Sequence, residues 1–330
     1  MSHTSKAPTG IFRLIVFSLL FAAALFLLHH AISLGLHRVK TSDYGVWNRV
    51  MNGQINADIV ISGSSRALVH YNAPLIEKIT GVSTYNIGLN GSQTDMQLAF
   101  LKSYLKHNAK PKLVVHNLDM HSFRVTRDPF NLVQFVPYLH EEAIYNSIKR
   151  YYPDVWKAKY LPLYGYVVED MRFVWLQGLL ALTGRQPKED RFQGFAPRHS
   201  TWTAAFGKFR ENNPEGVRFE IEPLGIKCLT ELIELCHSEG IDLLFVYSPD
   251  YYEVHEMELN RGEILARFQS LGTQFNIPVW DYSNSPITRD HVNFYNSQHL
   301  NAEGADRFSA DLAERLIHTT LLQKSLPINR

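Results

Sequence analysis

Along this chain one long apolar stretch comes first, and short apolar runs alternate with helically spaced ones after it. From Leu14 to Leu28 no residue is charged and no helical polar face recurs, and with Ala31 through Leu36 the stretch reaches the roughly 20 residues that cross a bilayer. It is read as a single transmembrane anchor over residues 14–36, behind a cytoplasmic tail over 1–13 that carries Lys6 and Arg13. The competing reading is a cleaved export signal with a small-residue site at Ser33-Leu34-Gly35, although no Ala-x-Ala site stands in the right place. Either way, the bulk of the chain is expected to be extracytoplasmic, periplasmic or at the cell surface.

Beyond the anchor, continuous apolar runs at 57–62, 83–87, 112–117, 241–247 and 277–281 predict strands. Apolar residues recurring every three or four positions predict helices near 72–80, 93–107, 223–239, 258–274 and 302–318. In the last of these Ala305, Phe308, Leu312 and Leu316 share one face, with Asn301 as N-cap. Such alternation predicts the α/β class: a three-layer α/β/α sandwich around a central parallel sheet.

Residues 125–222 break the pattern. They are dense in aromatics, from Phe130, Phe135 and Tyr138 to Trp175 and Trp202, and include the charged stretch from Arg185 to Arg191. A mostly helical insertion with a small aromatic subcore is the plainest reading, because buried aromatics are ordinary packing. A lid, a sugar-stacking groove or a face against the membrane interface is the sharper one. The expected organisation is therefore tail 1–13, anchor 14–36, first domain part 37–124, insertion 125–222 and second domain part 223–330.

Composition narrows the partners. The chain has 330 residues, 45% hydrophobic and 20% charged, with a net charge of +1. Without a basic stripe, no nucleic acid is expected to bind. Cys228 and Cys236 fall on one predicted helix about 12 Å apart along its axis, too far to bridge, and are read as small buried thiols. His116, His121, His291 and His299 match no zinc spacing, so neither a metal nor any other cofactor is expected.

The candidate chemistry lies in two distant segments. Gly63-Ser64-Ser65-Arg66 follows the apolar run 59–61, and Asn296-Ser297-Gln298-His299-Leu300-Asn301 opens the last helix. A serine at a strand end and a histidine at a helix start can converge at the carboxyl edge of one sheet, as a nucleophile and its base must. The structural alternative makes Ser64 or Ser65 the N-cap of the helix carrying Leu75, Ile76 and Ile79. Between the two segments come Tyr85 to Ser92, whose Gly88 and Gly91 let a backbone N–H approach a developing charge. Then follows Lys112 to Asp119, a strand with polar residues at its end.

In this order the pieces resemble the SGNH/GDSL hydrolase superfamily, whose members carry a Gly-Asp-Ser block, an oxyanion Gly, an oxyanion Asn and a late Asp-x-x-His block. Ser65 matches the nucleophile, with Ser64 where Asp is usual; Gly91, with Gly88 beside it, matches the second block; His299 matches the base. In place of Gly-x-Asn-Asp the third block reads Asn117-Leu118-Asp119-Met120-His121, so Asn117, Asp119 and His121 compete there, Asn117 as the oxyanion donor. Three residues before His299 stands Asn296, which can orient the imidazole but not stabilise its cation; Asp290 upstream is the alternative carboxylate. Arg66, next to Ser65, completes the candidates.

The resemblance covers residues 57–125 and 223–320. It is closest in flavour to the membrane-anchored branch with D-alanyl-lipoteichoic-acid transfer proteins and exopolysaccharide O-acetyltransferases, where Gly-Ser-Ser often replaces Gly-Asp-Ser. It implies a serine esterase or O-acyltransferase acting on an exported polysaccharide or other envelope glycan, with a membrane-bound O-acyltransferase as acyl donor. The alternative is an inactive domain of this kind, kept as a glycan-binding or docking component of an envelope assembly complex.

Overall fold

The computed structural model describes residues 7–127, 131–168 and 173–323. Residues 1–6 of the expected tail and Phe130 of the expected insertion lie outside them. Helices run in the order α1 (Ala7–Leu36), α2 (Ser42–Met51), α3 (Ser65–His70), α4 (Ala73–Thr80), α5 (Thr94–His107), α6 (Glu142–Tyr151) and α7 (Val155–Tyr160). After these come α8 (Tyr164–Val167), α9 (Val174–Leu182), α10 (Ala205–Asn212), α11 (Pro223–Ser238), α12 (Arg261–Phe275), α13 (Ala302–Ile317) and α14 (Thr320–Gln323). The strands are β1 (Ile59–Ser62), β2 (Thr84–Asn86), β3 (Leu113–Leu118), β4 (Asp242–Tyr247), β5 (Val279–Asp281), β6 (Phe294–Asn296) and β7 (His299–Leu300).

The chain divides into two compact units, Met1–Asn48 with Asn131–Lys188, and Arg49–Phe130 with Glu189–Arg330. In the first, α1 contains a span from Gly10 to Leu36 that is long and apolar enough to cross a membrane. Only its last turns are covered, with Ile32 and Leu36 buried and α9 packed alongside. The two helices approach closely because glycine faces glycine: a Cβ on Gly35 would stand 1.8 Å from the Gly178 carbonyl oxygen. A small aromatic subcore follows, in which Trp47 stacks on Tyr138 at 5.2 Å and meets Phe135 edge-on at 5.4 Å.

The second unit holds a five-stranded parallel sheet in the order β2-β1-β3-β4-β5. Alternate residues point to opposite faces, so Ile59, Ile61, Leu113, Val115, Leu244 and Val246 pack with Phe308 and Leu312 of α13 and Ile76 of α4. The intervening Val60, Val114 and Leu243 are equally buried on the other face, where α5 and α11 pack together. This is the expected three-layer α/β sandwich. Cys228 and Cys236 are buried on α11 and form no disulfide with each other.

One expected boundary shifts, and one expected helix gains a short neighbour. The sheet unit reclaims the chain from Glu189, well before 222, because Asn86 N–H donates to Gln193 O at 2.9 Å, Ala196 N–H donates to Leu68 O at 3.0 Å, and Phe195 and Phe206 enter the sheet core. The helix expected at 72–80 is preceded by a separate short one. Ser64 caps α3, accepting from Arg66 N–H at 3.2 Å, whereas α4, which carries Leu75, Ile76 and Ile79, is capped by Asn72.

The connection from β1 leads to β2 on one side, and the next returns past β1 to β3. Strand order therefore reverses between β1 and β3, and their carboxyl ends leave a crevice there.

Candidate functional site

Ser65 stands at that crevice because β1 ends in a turn that only glycine tolerates. Gly63 has φ +142°, and a Cβ there would lie 2.9 Å from both the Ala67 and Asn117 side chains. Ser65 then opens α3, so its N–H is one of the first-turn donors that a helix leaves unpaired.

His299 arrives from the other end of the sequence on the β6–β7 hairpin. Leu300 N–H donates to His70 Nε2 at 3.0 Å, so the neutral His70 carries its proton on Nδ1 and donates it to Ser248 Oγ at 2.9 Å. The His299 ring is stacked on Tyr295 at 5.4 Å and met edge-on by His70 at 6.1 Å. Thus α3, the hairpin and the loop after β4 hold one another around the imidazole.

The hydrogen bonds fix its tautomer. Asn296 Oδ1 accepts from Gln298 N–H at 3.0 Å, which orients the carboxamide, and accepts from His299 Nδ1 at 3.0 Å. The proton therefore resides on Nδ1, Nε2 presents its lone pair, and Ser65 Oγ donates to it at 2.8 Å. Burial first, and then the Arg66 and Arg198 cations, push the His299 imidazole down to about 3. A carboxamide supplies no charge to oppose that shift.

A cleft of about 100 Å³ opens over the pair, lined by Ser65, Gly91, Asp119, His121, Gln298 and His299 among others. Gly91, in a left-handed turn at φ +64°, lies in its wall. Two expected oxyanion groups do not. The Gly88 N–H donates to Asn86 Oδ1 at 2.8 Å, and a Cβ on Gly88 would lie 2.4 Å from Leu68 N, so this glycine serves close backbone packing. Gly88→Ala is expected to cost about 1–3 kcal/mol by overpacking, read as a lowered urea midpoint; an unchanged midpoint would free Gly88 for another role.

Asn117 is also turned inward. Its Oδ1 accepts from Tyr71 O–H at 2.8 Å, and its Nδ2 donates to Leu118 O and Asp119 Oδ1, both at 3.1 Å. Asp119 and His121 line the cleft instead, Asp119 with its carboxyl pushed up by burial against the opposing pull of Arg66. Asp290 is exposed, capping the turn at 291–293 through Val292 N–H at 3.0 Å, and the partner of His299 Nδ1 is Asn296. His116 is buried beside Ser62 and His291 faces Trp202, so these two lie apart from His121 and His299. Among the described residues no group of three His, Cys, Asp or Glu could hold a metal.

Arg66 forms the floor. Its guanidinium donates to Ser248 O, lies 3.6 Å from Asp119 and 3.8 Å from Asp250, and covers the Tyr247 ring at 4.6 Å. Burial alone would lower its pKa, but Tyr247, Asp250 and Asp119 together raise it above the ordinary value, so it is always charged. Asp250 in turn accepts from His255 at 2.6 Å and from Tyr247 O–H. Arg66→Met leaves Asp119 without its cation and is expected to destabilise the fold by about 3–5 kcal/mol. Urea unfolding checks this, and a midpoint within about 1 kcal/mol of wild type would mean that the pair contributes nothing.

His70, Ser248 and Asp250 were not legible as site residues. For Asp250 there was a usable signal, an acid three residues beyond the predicted strand 241–247. For His70 there was none.

The sequence matches no protein-family model and no curated protein. Among solved structures, a GDSL-like lipase from Bacteroides thetaiotaomicron is similar at 11% identity over 85% of this chain and 98% of its own, with TM-score 0.42. A protein assigned as an acylhydrolase from Bacteroides fragilis is similar at 11% identity over 79% and 88%, with TM-score 0.37. A protein assigned as lipolytic, of the G-D-S-L family, from Desulfitobacterium hafniense is similar at 12% over 78% and 99%, also with TM-score 0.37. At that level of likeness the chemistry of this chain has to come from its own side chains.

Proposed function

We propose that the protein is a membrane-anchored serine acyl-transfer enzyme, an O-acyltransferase or esterase working through an acyl-Ser65 intermediate. The observation that carries the reading is the 2.8 Å contact between Ser65 Oγ and a His299 Nε2 whose tautomer is set by Asn296. Ser65 Oγ attacks the acyl carbonyl and its proton passes to His299 Nε2. The tetrahedral adduct collapses, the leaving alcohol or thiol takes that proton, and the acyl group remains on Ser65 as an ester. An acceptor hydroxyl or water then gives its proton to His299 and takes the acyl group, and Ser65 Oγ leaves by taking that proton back, which restores the starting pair. The N–H groups of Ser65 and Gly91 are the oxyanion donors in this reading.

A cleft of about 100 Å³ suits a short acyl group better than a long chain. The unbroken α1, whose end is buried against α9, favours a retained anchor over cleavage at Ser33-Leu34-Gly35. With the main domain extracytoplasmic, an exported polysaccharide or envelope glycan is the acceptor and a membrane-bound O-acyltransferase the donor. The test is reaction with a fluorophosphonate followed by intact mass. One adduct, absent in Ser65→Ala, is the expected result.

The second reading, a docking or glycan-binding domain without turnover, is favoured by Asn296 in place of a carboxylate and by the acidic Asp119 in the cleft wall. No adduct on folded wild type would select it.

A further inference from the structure

A second cavity, of about 470 Å³, lies wholly within the first unit and plays no part in the chemistry at Ser65. Its floor is apolar, with Phe26, Leu34 and Leu161; its polar rim includes His29, His30, His37, His140 and Lys159, and none of its lining side chains is acidic. His29 Nδ1 accepts from Leu163 N–H at 3.2 Å, so the neutral ring keeps its proton on Nε2 as a donor. Lys159 lies over the Tyr145 ring at 4.2 Å, a contact that holds the cation in place without neutralising it.

Depth along α1 gives this rim its meaning. At about 1.5 Å per residue the roughly 20 residues from Leu14 to Ser33 measure about 30 Å, the thickness of a bilayer's hydrocarbon core. The rim then falls at the outer edge of that core, next to the lipid head groups. Beside it the same unit exposes Tyr160, Leu161, Val167, Val168, Phe173 and Leu176, an apolar and aromatic set suited to the membrane interface.

We propose that this cavity binds the head of an anionic phospholipid from the bilayer that α1 crosses. Lys159 and His140 meet the phosphate, and an acyl chain lies on Phe26, Leu34 and Leu161. The inference rests on reading α1 as a spanning helix, which alkaline extraction of membranes tests separately, and is independent of catalysis.

The experiment is native mass spectrometry of the full chain, stripped of lipid in detergent and titrated with phosphatidylglycerol, with phosphatidylcholine of the same chains, and with inorganic phosphate. A one-to-one phosphatidylglycerol adduct is expected at about tenfold lower concentration than the phosphatidylcholine adduct. The double variant Lys159→Glu/His140→Glu should weaken it about tenfold or more, and Leu34→Trp, which fills the floor, should weaken both lipids. Fluorophosphonate labelling should be unchanged in either variant. Equal binding of the two lipids, affinity untouched by both variants, or displacement of phosphatidylglycerol by inorganic phosphate alone would each overturn the proposal.

Discussion

Replacing His299 by alanine is expected to slow phosphonylation of Ser65 by about 10²–10⁴-fold, the usual contribution of a positioned general base, and Asn296→Asp is expected to speed it. The serine hydroxyl already donates to His299 Nε2, so the base needs no rearrangement to take the proton. The weakness is in the cation that results. Burial, Arg66 and Arg198 all disfavour the imidazolium, and Asn296 offers a dipole where a carboxylate would offer a charge. An aspartate at 296 keeps both hydrogen bonds, from Gln298 N–H and from His299 Nδ1–H, and adds that charge.

Because the tautomer is already correct, only the electrostatic part of a triad carboxylate's effect remains to be gained, about tenfold. The pH profiles carry a second signature. In wild type the labelling rate should be flat from about pH 5 to 8, since His299 is neutral above about 3, and the acid limb should move to higher pH in Asn296→Asp. Stopped-time intact mass measures both. Equal rates in wild type and His299→Ala would mean that the proton leaves by another route and would sink the proposed role.

Lowering the pH from 7 to 5 is expected to cost the sheet unit about 2 kcal/mol through His116, with His70 adding to the loss in the same direction. Both imidazoles are fully buried and held neutral: burial lowers His116 to about 3, and burial with the Arg66 charge carries His70 well below 6.5. The unfolded chain protonates both near 6.5 while the folded chain does not, so stability is present above that value and is lost as the pH falls through it. Asp119 acts in the opposite sense at lower pH, since its raised folded-state value favours the protonated native form. Urea midpoints at the two pH values measure the loss, and His116→Leu should reduce it by about 2 kcal/mol. A pH-independent midpoint would show that both histidines find water or a proton in the folded state.

The sheet was legible because its strands announce themselves one at a time. Runs such as Ile59-Val60-Ile61 and Leu243-Leu244-Phe245-Val246 are buried on both faces, and a strand buried on both faces must be apolar throughout. The helices at 94–107, 223–238, 261–275 and 302–317 follow from spacing within about one turn of sequence, as does the Asn301 cap, whose Oδ1 accepts from Gly304 N–H at 2.9 Å. Ser65, His299 and Asn296 were legible for a related reason: short, local blocks place each at the end of an element, and the parallel topology gathers strand ends at one edge.

By itself, then, the sequence determined the apolar span, the α/β alternation and the serine, histidine and asparagine that meet. Those depend on hydrophobic period and on neighbours within a few residues. Only the tertiary structure decided that Asn117 turns inward to Tyr71, that Gly88 gives its N–H to Asn86, that Asp290 caps its own turn away from His299, and that 189–222 returns to the sheet. The Asn117 and 189–222 outcomes are competitions among partners tens to hundreds of residues apart, whereas Gly88 and Asp290 pair with residues two positions away and are thereby turned from the cleft. A buried polar group takes whichever donor or acceptor packing brings within reach, and linear sequence does not encode that distance.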